Sequence, residues 1–188
     1  KTAYEIPKRD WSSDVCSSDL ASSGRAGSVV GIDFAGEMLR LGLAKVRGAG
    51  LQQAIALARG DATRIPLPDA SVDAVTIGFG IRNVNDPAKA GRECARVLKP
   101  GGRLAILEFG PPEVPIVREL FGWYFRSVLP RIGNLISRHG DAYTYLPASV
   151  AEFPPPAAFM KLLQGSGFAA VRRRRLALGI VSLYLATK

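Results

Sequence analysis

At 188 residues, 47% apolar and 22% charged, the chain suits one domain with a sizeable core and is too apolar for a disordered segment. Its 25 lysines and arginines against 16 aspartates and glutamates permit an anionic partner, whether nucleic acid, lipid headgroups or an acidic substrate, without choosing among them. No run reaches the roughly 18 apolar residues of a spanning helix, and no basic-apolar-small leader is read at the start.

The 2 cysteines, Cys16 and Cys94, are too few for a disulfide framework or a zinc site, which points to a cytosolic chain with free thiols. No His/Cys/carboxylate cluster has ligand spacing, so no metal is implied.

In chain order, residues 1–28 have no sustained period, many serines and the repeated Ser-Ser-Asp of WSSDVCSSDL. They read as an irregular front end, truncated or foreign, before a single domain over 29–188. SVVGID is a short apolar run closing on Asp33, the pattern of a buried parallel strand. Residues 34–48 place Met38, Leu39, Leu43 and Val46 at helical spacing, with Gly48 and Gly50 as stops. QQAIALARGD is a second strand ending at Gly60-Asp61. Pro66 and Pro68 force a loop, since proline fixes φ and restricts the residue before it.

VDAVTIGFG reads as a third strand. Asp86-Pro87 supplies an N-cap and a first-turn proline, and Ala90, Cys94, Val97 and Leu98 line one helix face. Lys99-Pro100-Gly101-Gly102 ends that helix, and RLAILEF is a fourth strand. Residues 111–138 are helical, unusually aromatic, and interspersed with arginines. After Pro154-Pro155-Pro156 comes a short helix to Gly165, then FAAVRRRRLAL and IVSLYLATK as a closing hairpin turning at Gly179. Strands alternating with helices predict an α/β fold, a doubly wound and mostly parallel sheet with helices on both faces.

Ligands of such sheets bind outside the carboxyl ends of the strands. Three exits carry suitable groups: Asp33, Gly60-Asp61 and Gly78-Phe79-Gly80. An acid after an early strand suits the two hydroxyls of a ribose, and equally suits a helix cap. Asp61 suits an adenine amine, with Phe34 or Met38 against the ring. Glycines at 78 and 80 let backbone approach a ligand closely. The ordered set describes a nucleoside-type cofactor.

The segment RNVNDPAKAGRECARVLKPGGRLAILEF, with GDATRIPLPD and TIGFGIRN ahead of it, resembles the ubiquinone/menaquinone biosynthesis C-methyltransferases. The resemblance runs from about Val29 to the end. Arg-Val-Leu-Lys-Pro-Gly-Gly would give only the superfamily; Gly-Phe-Gly-Ile-Arg-Asn followed by Leu-Pro-Arg-Ile-Gly is narrower. It implies a Rossmann-like class I methyltransferase fold, a mostly parallel twisted sheet with a terminal antiparallel strand. It also implies S-adenosyl-L-methionine as cofactor, with Asp33 on the ribose, Phe34 and Met38 beside the adenine, Asp61 and Ala62 bordering it, and Gly78 next to the methionine.

By the same resemblance Arg82 and Asn83 face the ring of a polyprenyl quinol, either demethylmenaquinol or the benzoquinol precursor of ubiquinone. The expected location is cytoplasmic, with peripheral contact at the inner face of the membrane, where residues 120–135 could wall the apolar substrate and Arg172, Arg173, Arg174 and Arg175 meet anionic lipid. Two departures stand out. Residues 14–20, where the family has a glycine-rich turn, contain no glycine, and the N-terminal helical section expected from the resemblance to cover the site is missing. Gly110 in place of a usual serine is a smaller departure. Cys94 reads as packing and His139 as surface.

Three rival readings remain. A nicotinamide-dependent oxidoreductase is disfavoured by the absence of Gly-x-Gly-x-x-Gly. A non-catalytic remnant acting as a partner or membrane-surface protein is favoured by the missing glycine turn. Nucleic-acid methylation is weaker, because no recognised basic-aromatic motif occurs.

Overall fold

The computed structural model describes residues 27–110 and 152–188, together with Glu119, Gly122, Trp123, Ser149 and Val150. The serine-rich front end through residue 26, most of the aromatic segment 120–135, His139 and residues 143–146 lie outside the described residues. The chain divides into two compact units, 1–66 and 67–188.

In the first unit, β1 (Val29–Asp33) pairs in parallel with β2 (Ile55–Arg59), and α1 (Gly36–Gly48) connects them. The order follows from the sequence: two short β-branched or apolar runs need a crossover to lie parallel, and a helix supplies it. Leu57 sets how closely the three elements pack. Its methyl carbons lie 2.6 Å and 2.8 Å from where a Cβ would project from Gly31 on β1 and Gly42 on α1, so a side chain at either position would push the Leu57 methyls aside. Gly60, just past β2, is equally constrained, since an added Cβ would stand 2.9 Å from Ile32 and from Pro66.

The second unit is a four-stranded sheet in the order β3-β4-β6-β5, built from β3 (Val72–Gly78), β4 (Leu98–Phe109), β5 (Ala170–Leu176) and β6 (Val181–Thr187). β3 and β4 are parallel, and β6 is antiparallel to both β4 and β5. β3, β4 and β5 therefore share one direction, and the last strand in sequence, β6, inserts between β4 and β5 in reverse. The closing hairpin is present, its turn being the 3₁₀ segment Ala177–Gly179 with Gly179 at φ 92°. Its second strand pairs with β4 as well as with β5.

Among the described residues, α2 (Pro87–Val97) and α3 (Pro156–Gly165) pack in this unit. Asp86 caps α2 as the sequence predicts, its Oδ1 accepting the Lys89 N–H at 2.9 Å, and Pro87 occupies the first turn, where a missing N–H costs nothing. At the other end the Lys188 ammonium donates to the Leu98 carbonyl at 2.6 Å, a cation placed where the helix exposes unpaired carbonyls. Where α2 meets α3, a Cβ on Gly91 would stand 2.6 Å from Ser166 Oγ. The Ser166 hydroxyl in turn donates to the Leu162 carbonyl at 2.8 Å.

The core lies on one face of the sheet. Leu104 opposite Ala186 and Ile106 opposite Tyr184 are buried, and Phe159 from α3 meets Tyr184 edge-on at 4.9 Å and Phe153 at 4.9 Å. Aromatic pairs at this separation add about 0.5–1.5 kcal/mol each beyond area burial. Cys94 belongs to this core. Burial, with Glu93 adding to it, raises its thiol to about 12, so it is protonated at neutral pH and serves packing.

The Lys-Pro-Gly-Gly segment differs from the sequence expectation of a free turn, because β4 begins at Leu98 and pairs there with Val72. Gly101 takes φ 76°, and a Cβ on Gly102 would stand 2.8 Å from the Lys99 carbonyl oxygen, so the two glycines let the chain fold tightly where the ladder with β3 breaks after Leu98 before resuming at Arg103. Arg96, from the same motif, is held by Glu93 and Asp69 and donates to the Leu67 carbonyl. These hydrogen bonds, Glu93's first, raise its pKa above the ordinary arginine value. The contacts of Arg96 and of the two glycines are thus made within the fold.

Candidate active site

Asp33 is the last residue of β1 and half-buried. Its Oδ1 accepts the Ala35 N–H at 2.8 Å, while the helix N-cap is Ala35 and makes no side-chain bond. The carboxylate therefore shapes the strand-to-helix turn without capping the helix, and Oδ2 has no partner among the described residues. Phe34 follows with 68% of its surface exposed, unusual for a phenylalanine in an ordered turn. Met38 lies one turn into α1, half-buried.

At the end of β2, Asp61 Oδ1 accepts the Thr63 N–H at 2.8 Å and the Asp61 carbonyl accepts the Arg64 N–H at 2.9 Å. This tight turn holds Ala62 at its centre, and the Asp61 side chain remains exposed.

In the second unit, Gly78 ends β3. Among the described residues, a Cβ built there meets nothing within 4 Å, so none of them requires glycine at this position. Phe79 follows with φ 55°, a conformation costing a non-glycine residue on the order of 1–3 kcal/mol and kept only where surrounding contacts enforce it. Two such contacts are its ring against Phe109, at 4.5 Å between centroids, and its N–H donating to the Leu107 carbonyl at 2.8 Å.

The third contact is Arg82, in the 3₁₀ turn Ile81–Asn83. Its Nη1 donates to the Phe79 carbonyl at 2.7 Å and to Glu108 Oε1 at 2.5 Å, its Nε donates to Ser149 Oγ at 3.3 Å, and its guanidinium carbon stands 5.6 Å from the centre of the Phe109 ring. The Arg82 side chain is 8% exposed and that of Glu108 is 0% exposed. Asn83, beside it, is exposed.

Reasoning from the sequence singled out Arg82 and passed over Glu108, Phe109 and Ser149. A signal for Glu108 was available. In RLAILEF the inward positions are Leu104, Ile106 and Glu108, so strict alternation puts a carboxylate where a third core residue belongs. A charge there requires a buried partner. Among the described residues no group of three His, Cys, Asp or Glu side chains is placed to hold a metal. The arginine run on β5 is not uniformly solvated: Arg172 and Arg174 are exposed, whereas Arg173 is half-buried and donates to Ser182 Oγ at 3.0 Å.

Comparison with known proteins bears on the whole arrangement. The model of the ubiE/COQ5 methyltransferase family matches residues 9–188. The chain is 46% identical over 161 residues to a ubiquinone/menaquinone biosynthesis C-methyltransferase of Geobacter sp. (strain M21), covering 86% of this chain and 68% of the relative. It is 45% identical over 160 residues to a demethylmenaquinone methyltransferase of Deinococcus radiodurans, covering 85% of this chain and 65% of the relative. The chain thus spans about two thirds of the length of these relatives.

Among solved structures, a SAM-dependent methyltransferase from Aquifex aeolicus aligns with TM-score 0.58 at 22% identity, over 87% of this chain and 70% of that one. An S-adenosylmethionine-dependent methyltransferase from Mesorhizobium loti aligns with TM-score 0.61 at 20% identity, over 91% and 85% respectively. The family match and these folds agree on a Rossmann-like methyltransferase fold with S-adenosylmethionine as cofactor. The chain belongs to the ubiE/COQ5 methyltransferase family.

Proposed function

We propose that this chain methylates a ring carbon of a polyprenyl quinol, demethylmenaquinol or the benzoquinol precursor of ubiquinone, in a single domain over 29–188. The names of its relatives support the substrate class. The observation that carries the acceptor site is the Arg82 guanidinium, held between the Phe79 carbonyl, Glu108 and Ser149.

The described residues fit the cofactor. Asp33 keeps one carboxylate oxygen unused by the turn it shapes, as a ribose ligand needs. Phe34 and Met38 offer apolar surface to an adenine, Asp61 and Ala62 its polar border, and Gly78 an approach that no described side chain obstructs. S-adenosylmethionine, when bound, supplies a methyl group on a positively charged sulfur.

The chain's own task is to make one ring carbon electron-rich. Removing or polarising the proton of the ring hydroxyl achieves this, and the carbon that gains the methyl then loses its hydrogen as a proton. Arginine does not give up its proton in proteins, so Arg82 acts as a donor that stabilises the developing phenolate oxygen, with Asn83 positioning the ring. Such a preorganised donor contributes about 10²–10³ in turnover.

No described helix is long and apolar enough to cross a membrane. A quinol with a polyprenyl tail nevertheless has to be drawn from one, so the enzyme works at the membrane's inner face, with exposed Arg172 and Arg174 toward anionic lipid.

Incubation with S-adenosylmethionine and each short-tailed quinol, followed by mass spectrometry and proton NMR, tests this reading. The expected product is one methylene heavier and has lost one ring proton. Methylation of a ring oxygen, or no transfer to either quinol, would refute it.

A further inference from the structure

Glu108 is the only charged residue in the core among the described residues. It continues the inward row of Leu104 and Ile106, and opposite it on β6 stands Ser182, also buried. A lone carboxylate at this depth is strongly disfavoured unless donors surround it. Three do: the Arg82 backbone N–H reaches Oε2 at 3.2 Å, Arg82 Nη1 reaches Oε1 at 2.5 Å, and the Phe109 N–H reaches Oε1 at 2.8 Å.

Two of these three donors belong to Arg82, one on its main chain and one on its side chain. The carboxylate therefore fixes the start of the Ile81–Asn83 turn and the direction of the guanidinium together. The same guanidinium pins the strained Phe79 carbonyl, and the Phe79 and Phe109 rings meet beside it. Nε is spent on Ser149. Nη2 meets no hydrogen-bond partner among the described residues, and it is the one nitrogen of the fork left to face a substrate.

We propose that Glu108 is a positioning residue of the acceptor site. It aims Arg82 Nη2 at the substrate hydroxyl and compensates the guanidinium charge, so that Arg82 works as an oriented donor in a neutral pair and not as a free cation. This rests on the reading that Arg82 faces the quinol.

The test uses four full-length chains: unsubstituted, Arg82→Ala, Glu108→Gln and the double variant. Glutamine offers one acceptor oxygen, and its amide donors oppose the remaining N–H, so the turn loses its grip while side-chain volume is kept. Turnover with a short-tailed naphthoquinol is expected to fall about 10- to 100-fold in Glu108→Gln, the scale of a misplacement near 1 Å, with affinity for S-adenosylhomocysteine held. The double variant is expected to be no slower than Arg82→Ala alone, since Glu108 acts through Arg82.

A readout free of turnover is the ionisation of bound 1-naphthol, followed by fluorescence against pH. Glu108→Asp keeps the charge but draws the carboxylate back, so Nη2 no longer faces the hydroxyl and the bound naphthol should ionise at higher pH than in the unsubstituted chain. A glutamate that supplied only charge or packing would leave that pH unmoved on this charge-preserving change. If Glu108→Gln does not fold, Glu108→Asp keeps the charge and should give the same kind of turnover loss, smaller in size.

Losses that multiply in the double variant, or an unmoved naphthol transition, overturn the proposal. A fall in Arg82→Ala with full turnover in Glu108→Gln overturns it while leaving the Arg82 reading intact. Full turnover in Arg82→Ala overturns both.

Discussion

Gly78→Leu is expected to abolish measurable binding of S-adenosylhomocysteine, a loss of about 100-fold or more, while leaving thermal stability unchanged or slightly raised. The two halves of this result come from separate physical facts. A Cβ at Gly78 would meet nothing within 4 Å, and its φ is not in the left-handed region. Replacing a glycine whose backbone any residue can adopt removes unfolded-state entropy, worth about 0.4–1 kcal/mol in favour of the fold.

No described residue therefore accounts for glycine at the end of β3. The proposed close approach of a cofactor would account for it, and a leucine side chain would fill the space that approach needs. Gly91 and Gly102 behave oppositely. Cβ atoms there would stand 2.6 Å from Ser166 Oγ and 2.8 Å from the Lys99 carbonyl oxygen, so substitution at either should destabilise the fold. Melting curves and calorimetric titration of the Gly78 variant separate the two kinds of glycine. A stable Gly78→Leu chain with unchanged affinity would remove Gly78 from the cofactor site.

Asp33 gives the second large effect. Its carboxylate has two possible roles, accepting the Ala35 N–H in the turn and accepting hydroxyls of a ribose. Asparagine separates them. It can shape the same turn through its amide oxygen but puts an NH₂ group where the second acceptor was. If Asp33 holds the ribose, Asp33→Asn should keep its melting temperature and lose about 10- to 100-fold in affinity for S-adenosylhomocysteine. That equals about 1.4–2.8 kcal/mol, in the range of a hydrogen bond to a charged group. If Asp33 serves only the turn, both quantities should stay put.

These residues also show how far the sequence was readable. The first four strands were readable because burial and stop signals are local. β1 and β4 end at Asp33 and Phe109 as read, while β2 stops at Arg59, just before the Gly60-Asp61 read as its end, and β3 at Gly78, two residues before the Gly80 read as its end. The Asp86 cap was readable for the same reason, needing only the next three residues. The insertion of β6 between β4 and β5 was not readable, since a ladder between residues far apart in sequence leaves no local trace. The inward turn of Arg173 inside a run of four arginines depends on the same unseen register, which brings Ser182 within reach.

In the site, Arg82 was named by resemblance, whereas its partner was overlooked. Glu108 sits in what reads as one continuous apolar strand, and only the alternation of inward positions exposes the anomaly. Asp33 was readable as an acid at a strand end, but not its turn-shaping bond to Ala35, which depends on backbone geometry two residues on.

Calorimetric titration of the unsubstituted chain with S-adenosylhomocysteine, and separately with NAD, most directly tests the central claim that this is a methyltransferase built on a nucleoside-binding sheet. The account predicts saturable one-to-one binding of S-adenosylhomocysteine, weakened in Gly78→Leu and Asp33→Asn, and no binding of NAD. Binding of NAD alone, or of neither ligand, would contradict it.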